Sequence, residues 1–371
     1  MENGFNIEEK HKVTGANIKT VGVGGGGGNM IGHMIAEGID GIELIVANTD
    51  SQALSTSQAH VKIQLGEKTT RGLGAGMKPE IGREAALESY DEIKEKLEGA
   101  DIVFISAGMG GGTGTGAAPI IAQAAKEVGA LTISVVTKPF KFEGRRRSRL
   151  AEEGISELKK ESDSIVVIPN DKLLSIVDKK LGIKDSFRIV DDVLARAVGG
   201  ISGVILSYGQ NDINLDFADV QTVMSHRGLA LMGVGEAQGE NSAYEAIKSA
   251  VESPLLDNMS INGAMGVLVH FTIHPDYPLV DISEAMDVVY ESADEDAHVI
   301  FGTTTNENMA PDQVKITLIA TGFEHQEEKS EPVQIVKPIQ DTMKIRKKVS
   351  GGYEENEDVL DIPTFLRKQM D

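Results

Sequence analysis

The stretch Gly108-Met109-Gly110-Gly111-Gly112-Thr113-Gly114-Thr115-Gly116 lies between two apolar segments. Before it, Asp101-Ile102-Val103-Phe104-Ile105-Ser106-Ala107 reads as a buried strand; after it, Ala117-Ala118-Pro119-Ile120-Ile121-Ala122 reads as the opening of a helix. Six glycines among nine residues free the backbone from Cβ clashes, so consecutive N–H groups can turn inward around an anion. The helix start adds unsatisfied N–H donors and the positive end of its dipole. Phosphate is the expected guest. A flexible linker shares the composition, but a linker does not sit between a buried strand and an apolar helix.

Two further glycine-dense stretches lie upstream. Ile18–Val23 reads as a strand that runs into Gly24-Gly25-Gly26-Gly27-Gly28-Asn29 and then into a helix from Met30 to about Glu37. Gly22–Gly27 also satisfies G-x-G-x-x-G, the dinucleotide fingerprint, with Asp50 as a ribose candidate; a run of glycines matches many patterns, so the signal is weak. The second stretch, Arg71–Lys78, precedes Pro79, which suits the first position of a helix running to about Leu97. Three such loops after strands would surround a whole triphosphate with N–H donors. There is no G-x-x-x-x-G-K-S/T motif, so this is not a P-loop.

The 371-residue length predicts two domains. Hydrophobic residues make up 40% of the chain and aromatics only 4%, with no Trp, so the cores must be built mainly from Val, Ile, Leu, Ala and Met. A formal charge of −21 argues against a nucleic-acid binder and would be repelled by an anionic membrane surface, so membrane contact is expected to be indirect. The absence of cysteine removes disulfides, thiolate metal sites and thiol nucleophiles. The N-terminus is polar and no apolar run approaches the ~20 residues of a membrane span, which predicts a cytoplasmic protein. The eight histidines show no metal-ligand spacing. Arg145-Arg146-Arg147-Ser148-Arg149, the main basic cluster of the first 320 residues, is better explained by nucleotide attraction or a solvated helix face than by nucleic acid.

Strands alternate with helices through Ile168, several strands being uniformly apolar, which predicts a parallel sheet covered on both faces. From 183 to 207, Phe187, Val190, Leu194, Val198, Ile201 and Ile205 recur at helical spacing, a long spine between two halves of the chain. Gly199, Gly200 and Gly203 each cost about 1 kcal/mol there relative to Ala, which predicts that another element packs against that backbone. Apolar runs at 229–234, 266–273, 298–302 and 314–320, with helical patterns at 242–252 and 282–293, predict a second domain with an antiparallel or mixed sheet. The expected organisation is a flexible arm (1–16), a phosphate-binding domain (17–182), a central helix (183–208), a second domain (209–323), a disordered tether (324–357) and a docking peptide (358–371).

Gly110–Gly116 matches the tubulin signature, and Gly24–Asn29, Asn48-Thr49-Asp50, Pro139–Gly144, Ile168–Asp171 and Asn214–Asp219 follow in family order. Over residues 17–323 the chain resembles the tubulin/FtsZ GTPase family, in its bacterial cell-division branch, and Asp361–Arg367 looks like that branch's partner-binding peptide. The resemblance implies an α/β, tubulin-like fold: a Rossmann-like parallel-sheet GTPase domain, a long central helix and a second α+β domain with a mixed sheet, followed by a disordered tail. It implies a GTPase that polymerises head-to-tail at the mid-cell division ring, with membrane-tethering and regulatory division proteins bound through the tail.

Carried over by position, the resemblance assigns Gly25, Gly26, Gly27, Gly28, Asn29, Ala75, Gly76, Gly112, Thr113 and Gly114 to the phosphates and loops around them. Glu143 goes to the ribose, Arg147 to the sugar–phosphate region, and Asn170 and Asp191 to guanine or ribose, with Phe187 stacking on the base. A carboxylate suits guanine, accepting from both N1–H and the 2-amino group. Asn214, Asp216 and Asp219 are expected to act in the neighbouring subunit's site, the two aspartates orienting water. Their alternative role is a cap and first-turn acid on the following helix. GTP or GDP is expected with Mg²⁺ held through phosphates and water rather than by side chains. The rival readings are a nicotinamide-dependent oxidoreductase and a nucleotide-regulated scaffold that does not hydrolyse.

Overall fold

The computed structural model describes residues 16–39, 41–173, 182–206, 217–225, 228–256, 261 and 263–323. The arm before residue 16, Asn214, Asp216, and the tether and tail from 324 onward lie outside the described residues.

The strands are β1 (Ile18–Val23), β2 (Ile42–Asn48), β3 (Val61–Gln64), β4 (Ile102–Gly108), β5 (Leu131–Lys138), β6 (Ser164–Pro169), β7 (Gly228–Gln238), β8 (Gly266–Ile273), β9 (His298–Thr305) and β10 (Gln313–Thr321). The helices are α1 (Gly24–Ala36), α2 (Ser51–Thr56), α3 (Glu67–Thr70), α4 (Pro79–Glu88), α5 (Tyr90–Leu97), α6 (Thr113–Glu127), α7 (Arg145–Glu161), α8 (Asn170–Leu173), α9 (Ile183–Leu206), α10 (Phe217–Met224), α11 (Ser242–Val251) and α12 (Leu279–Ser292).

All ten strands form one sheet in the order 3-2-1-4-5-6-7-10-8-9. From β3 to β6 every pairing is parallel; β1 lies between β2 and β4, with Ile18 opposite Ile42 on one side and Ile102 on the other. Strands this apolar need cover on both faces. On one face Met30, Ile31 and Met34 of α1 and Leu194, Val198 and Ile201 of α9 bury Phe104 and Ile133. On the other, Ala85 of α4, Ala117 and Ile121 of α6 and Leu158 of α7 bury Val103, Ile105 and Val136. A third core lies under α11 and α12, where Ile247, Ile282 and Val289 meet Phe271, Ile316 and Leu318.

The two halves of the sheet share β7. Gly228–Ala230 pairs with β6 in parallel, whereas Leu231–Gln238 pairs antiparallel with β10. β10 is also antiparallel to β8, and β8 is parallel to β9, so the second half is mixed, as the sequence predicts.

The glycines of α9 serve close packing at two positions. A Cβ at Gly200 would stand 2.9 Å from Thr317 Cγ2, and one at Gly203 would stand 3.1 Å from His270 Nε2. Gly199 meets only Ile39 at 3.9 Å, an ordinary contact, so packing does not explain it.

Three expectations are corrected. The Gly108–Gly116 stretch is not all loop: Thr113–Gly116, expected before the helix, is the first turn of α6, whose N-cap is Gly112. Gly24–Asn29 is not a loop before a helix; it is the first part of α1. The predicted helix from Pro79 to Leu97 is broken at Ser89, whose Oγ accepts from Gly66 N–H at 3.0 Å and donates to Gln64 C=O at 3.3 Å. Tying the side chain to the end of β3 and the residue before α3 ends α4 at Glu88, and α5 starts afresh at Tyr90.

Candidate functional site

α1 and α6 follow neighbouring parallel strands but pack on opposite faces, so the chain diverges between the C-terminal ends of β1 and β4. That switch point is where open α/β sheets hold ligands. Beside it a cavity of about 490 Å³ is lined by Gly24, Gly25, Gly28, Asn29, His33 and Asp191, with Asn48, Thr56, Ser57 and Gln58 on the β2–α2 side.

The glycines of α1 divide into two kinds. Gly27 is buried, and a Cβ there would run into the carbonyl oxygen of Ser106 on β4. A Cβ at Gly26 would stand 3.1 Å from Gly108 N, and one at Gly24, which has φ +70°, would stand 3.0 Å from Gly114 N. These residues bring the start of α1 onto the end of β4 and the start of α6, on either side of the Met109–Gly112 turn. Gly25 has nothing within 4 Å of an added Cβ, and Gly28 meets only Val46 at 3.7 Å. Both present backbone to the cavity.

The turn itself is held from within. Gly110 N–H donates to Thr115 Oγ1 at 2.8 Å, and the Thr113 hydroxyl lies 2.6 Å from that of Thr49. An added Cβ on Gly112 would stand 2.8 Å from the Cβ of Ala75, which is buried, while Gly76 is exposed with open space beside it. Asp50, the ribose candidate of the dinucleotide reading, instead caps α2, accepting from Gln52 N–H at 2.9 Å and Ala53 N–H at 3.3 Å.

Glu143 and Arg147, four apart, form an ion pair, and Glu143 also accepts from Phe140 N–H at 2.9 Å. Arg147 Nε and Asn170 Oδ1 are both buried without a protein partner, and buried polar atoms of that kind call for one. Phe187 is 41% exposed and meets Phe140 edge-on at 5.5 Å, while Phe140 stacks on Phe142 at 4.9 Å. Burial pushes the Asp191 carboxyl up to about 6, against a smaller lowering by the nearby His33. Asp219 is exposed in the first turn of α10 and is not among the cavity-lining residues.

The cavity thus gathers Gly25, Gly28, Asn29 and Asp191 of the predicted set. Gly26, Gly27, Ala75, Gly76, Gly112, Thr113, Gly114, Glu143, Arg147, Asn170 and Phe187 are not in its lining. His33 lines the cavity too, outside the predicted set: with the helix starting at Gly24, Gly25, Asn29 and His33 fall at i, i+4 and i+8 on one face. Among the described residues no group of three or more His, Asp or Glu could hold a metal, and no helix is long and apolar enough to cross a membrane.

Comparison with known proteins agrees with this geometry. The model of the tubulin/FtsZ family GTPase domain matches residues 17–178, and that of the FtsZ family C-terminal domain matches 228–324. The chain is 49% identical over 361 residues to the cell division protein FtsZ of two Helicobacter pylori strains, covering 96% of this chain and 93% of each relative. Among solved structures it resembles an empty FtsZ dimer of M. jannaschii with TM-score 0.80 and 45% identity, over 84% of this chain and 90% of that one. The GTPγS-bound CetZ2 protofilament of Haloferax volcanii shares the fold, with TM-score 0.70 at 20% identity, over 84% of this chain and 94% of that one. Neither the oxidoreductase nor the non-hydrolysing scaffold is supported, and the chain belongs to the tubulin/FtsZ family as a GTP-binding, GTP-hydrolysing member of its cell-division branch.

Proposed function

We propose that the cavity beside the β1–β4 switch point takes the guanine nucleotide, and that its hydrolysis is completed by a second copy of the chain in a head-to-tail filament. The observation that carries the second part is the position of Asp219, exposed in the first turn of α10, a helix that packs against β8 and β9 in the second half of the sheet. Gly25, Gly28 and Asn29 would offer backbone N–H groups and an amide to the phosphates at the start of α1, with Gly112, Thr113 and Gly114 at the start of α6 closing on them. Glu143 would take the ribose, Arg147 and Asn170 would spend their unpartnered atoms on the nucleotide, and Phe187 would lie against the base. Asp216 and Asp219 of the next copy would orient the attacking water, with Asn214 steadying that loop. Mg²⁺ would enter with the phosphates and offset their charge, held by their oxygens and water.

The same reading divides the chain into a GTP-binding domain (17–182), a central helix (183–208), a second domain (209–323), a tether (324–357) and a peptide (358–371) that would meet membrane-tethering and regulatory division proteins in the cytoplasm. An intermolecular site requires turnover per molecule to rise with protein concentration. Phosphate release should therefore fall steeply below the assembly range. Constant specific activity on dilution would defeat the trans mechanism.

The base contact has a pH signature. Free Asp191 holds its proton up to about pH 6, whereas guanine recognition uses the ionised carboxylate. Nucleotide affinity should therefore fall as pH drops below 6, approaching about tenfold per unit, because binding must expel the proton. In the nucleotide-free protein the sign is opposite. A carboxyl raised from 3.8 to about 6 contributes stability that is full below 3.8 and lost as pH rises through 6. Asp191→Asn should flatten the affinity profile, measured with a fluorescent GDP analogue from pH 5 to 7.5. A wild-type profile already flat over that range would remove Asp191 from base recognition.

A further inference from the structure

A polar chain leaves the cavity wall and ends in the other half of the sheet. His33 Nε2 lies 3.4 Å from Asp192 Oδ1 on α9. The second oxygen of Asp192 holds Arg196 Nε at 2.8 Å, one helical turn on. Arg196 Nη1 lies 3.7 Å from Glu236 Oε2 on β7. Glu236 Oε1 accepts from Gln313 Nε2 at 2.8 Å and faces Lys315 Nζ at 3.7 Å, both on β10.

From Asp192 through Arg196 and Glu236 to Lys315 the chain alternates in sign, and it crosses from α1 to α9 to the antiparallel part of the sheet. Its members are only partly exposed, from 13% for the His33 side chain to 40% for Glu236, so solvent screening is incomplete. Arg196 and Glu236 line no part of the cavity. Asp192 contacts the cavity-lining His33, so anything that draws its carboxylate along the chain acts on that wall.

We propose that Arg196 is a positioning residue for nucleotide binding: anchored by Glu236, it sets Asp192, which sets His33 at the cavity wall. The inference rests on the reading of the cavity as the nucleotide site. Nucleotide occupancy and the seating of α9 on β7 and β10 are then one linked equilibrium, and the linkage is reciprocal. Glu236→Gln frees Arg196 to swing fully onto Asp192, which draws that carboxylate away from His33. Arg196→Gln leaves Asp192 without its second partner and loosens the same wall.

The test uses the full chain, diluted below its assembly range and titrated with a fluorescent GDP analogue. Wild type is compared with Arg196→Gln, Glu236→Gln and the double variant. Each single change should weaken binding by about 3–10-fold, and the double should be no weaker than the poorer single, because both cut one link. The inference is overturned where Glu236→Gln binds as wild type does, or where the two effects multiply in the double variant.

Amide hydrogen exchange gives a second readout that a merely structural role would not move. GDP should slow exchange in both α1 and β10 of wild type, but in α1 alone of Arg196→Gln. An equal response of β10 in both proteins sinks the idea. A wild type that binds no GDP would instead remove the nucleotide reading itself, an outcome distinct from either failure.

Discussion

Replacing Asp219 by alanine should leave GTP binding within about twofold of wild type while turnover falls by ~100-fold or more, the scale of losing a positioned proton acceptor. The separation follows from placement. Asp219 sits exposed in the first turn of α10, a helix that packs against β8 and β9 in the second half of the sheet, whereas the cavity lies beside the β1–β4 switch point. In the proposed filament it works on the nucleotide of a neighbour. A fluorescent-nucleotide titration and phosphate release at saturating GTP measure the two quantities on one preparation. Loss of binding with loss of turnover would put Asp219 in its own chain's site. Unchanged turnover would return it to the role of a first-turn acid favoured by the helix dipole.

The second large effect separates two glycines that are neighbours in the same helix. Gly25→Ala should stabilise the nucleotide-free protein by about 0.5–1 kcal/mol, since alanine is the better helix former and nothing lies within 4 Å of the new Cβ. The added methyl would stand where phosphate approaches the backbone, and nucleotide affinity should fall by ~10-fold or more, the effect of one misplaced group in a tight anion cradle. Gly27→Ala should do the reverse in the fold. Its Cβ would run into the Ser106 carbonyl oxygen, a backbone atom of β4, and the resulting displacement should cost about 1–3 kcal/mol. Thermal melts and nucleotide titrations of the two variants give four numbers. A Gly25→Ala protein that melts lower than wild type, or binds GDP as tightly, would refute the assignment of these glycines.

The parallel sheet is legible in the sequence because its strands are buried on both faces. Ile102–Gly108 and Leu131–Lys138 are runs that only a doubly covered strand can use, and they lie close to where the apolar pattern puts them. The start of α1 is illegible for the opposite reason. Glycine carries no helical preference, and Gly24–Gly28 becomes helix because its lack of side chains lets α1 settle onto β4. That is a tertiary effect with no local signal, so the sequence pattern alone starts the helix at Met30 and leaves Gly25 and Asn29 off the face that carries His33. The break at Ser89 depends likewise on Gly66 and Gln64, more than twenty residues away. The far end of β7 is masked by Gly233 and Gly235, whose backbones pack against the carbonyl oxygens of Ala250 and Ala246 on α11. The polar chain through Arg196 crosses elements remote in sequence, and no spacing rule reaches that far.

The partner change within β7 has a mechanical meaning. Three residue pairs, Ser164–Gly228 to Val166–Ala230, join it to β6, whereas eight, from Gln313–Gln238 to Ala320–Leu231, join it to β10. In a head-to-tail file of molecules, tension from one neighbour to the next must cross from one half of the sheet to the other. Rows of hydrogen bonds loaded together resist in proportion to their number, so the short row yields before the long one. The β6–β7 seam is therefore the weakest row of strand pairing between the halves, but α9 bridges it: Leu194, Val198 and Ile201 share one core with Phe104 and Ile133 on one side and with Met232, Leu268 and Ile319 on the other, so the halves could part at that seam only by opening this common core.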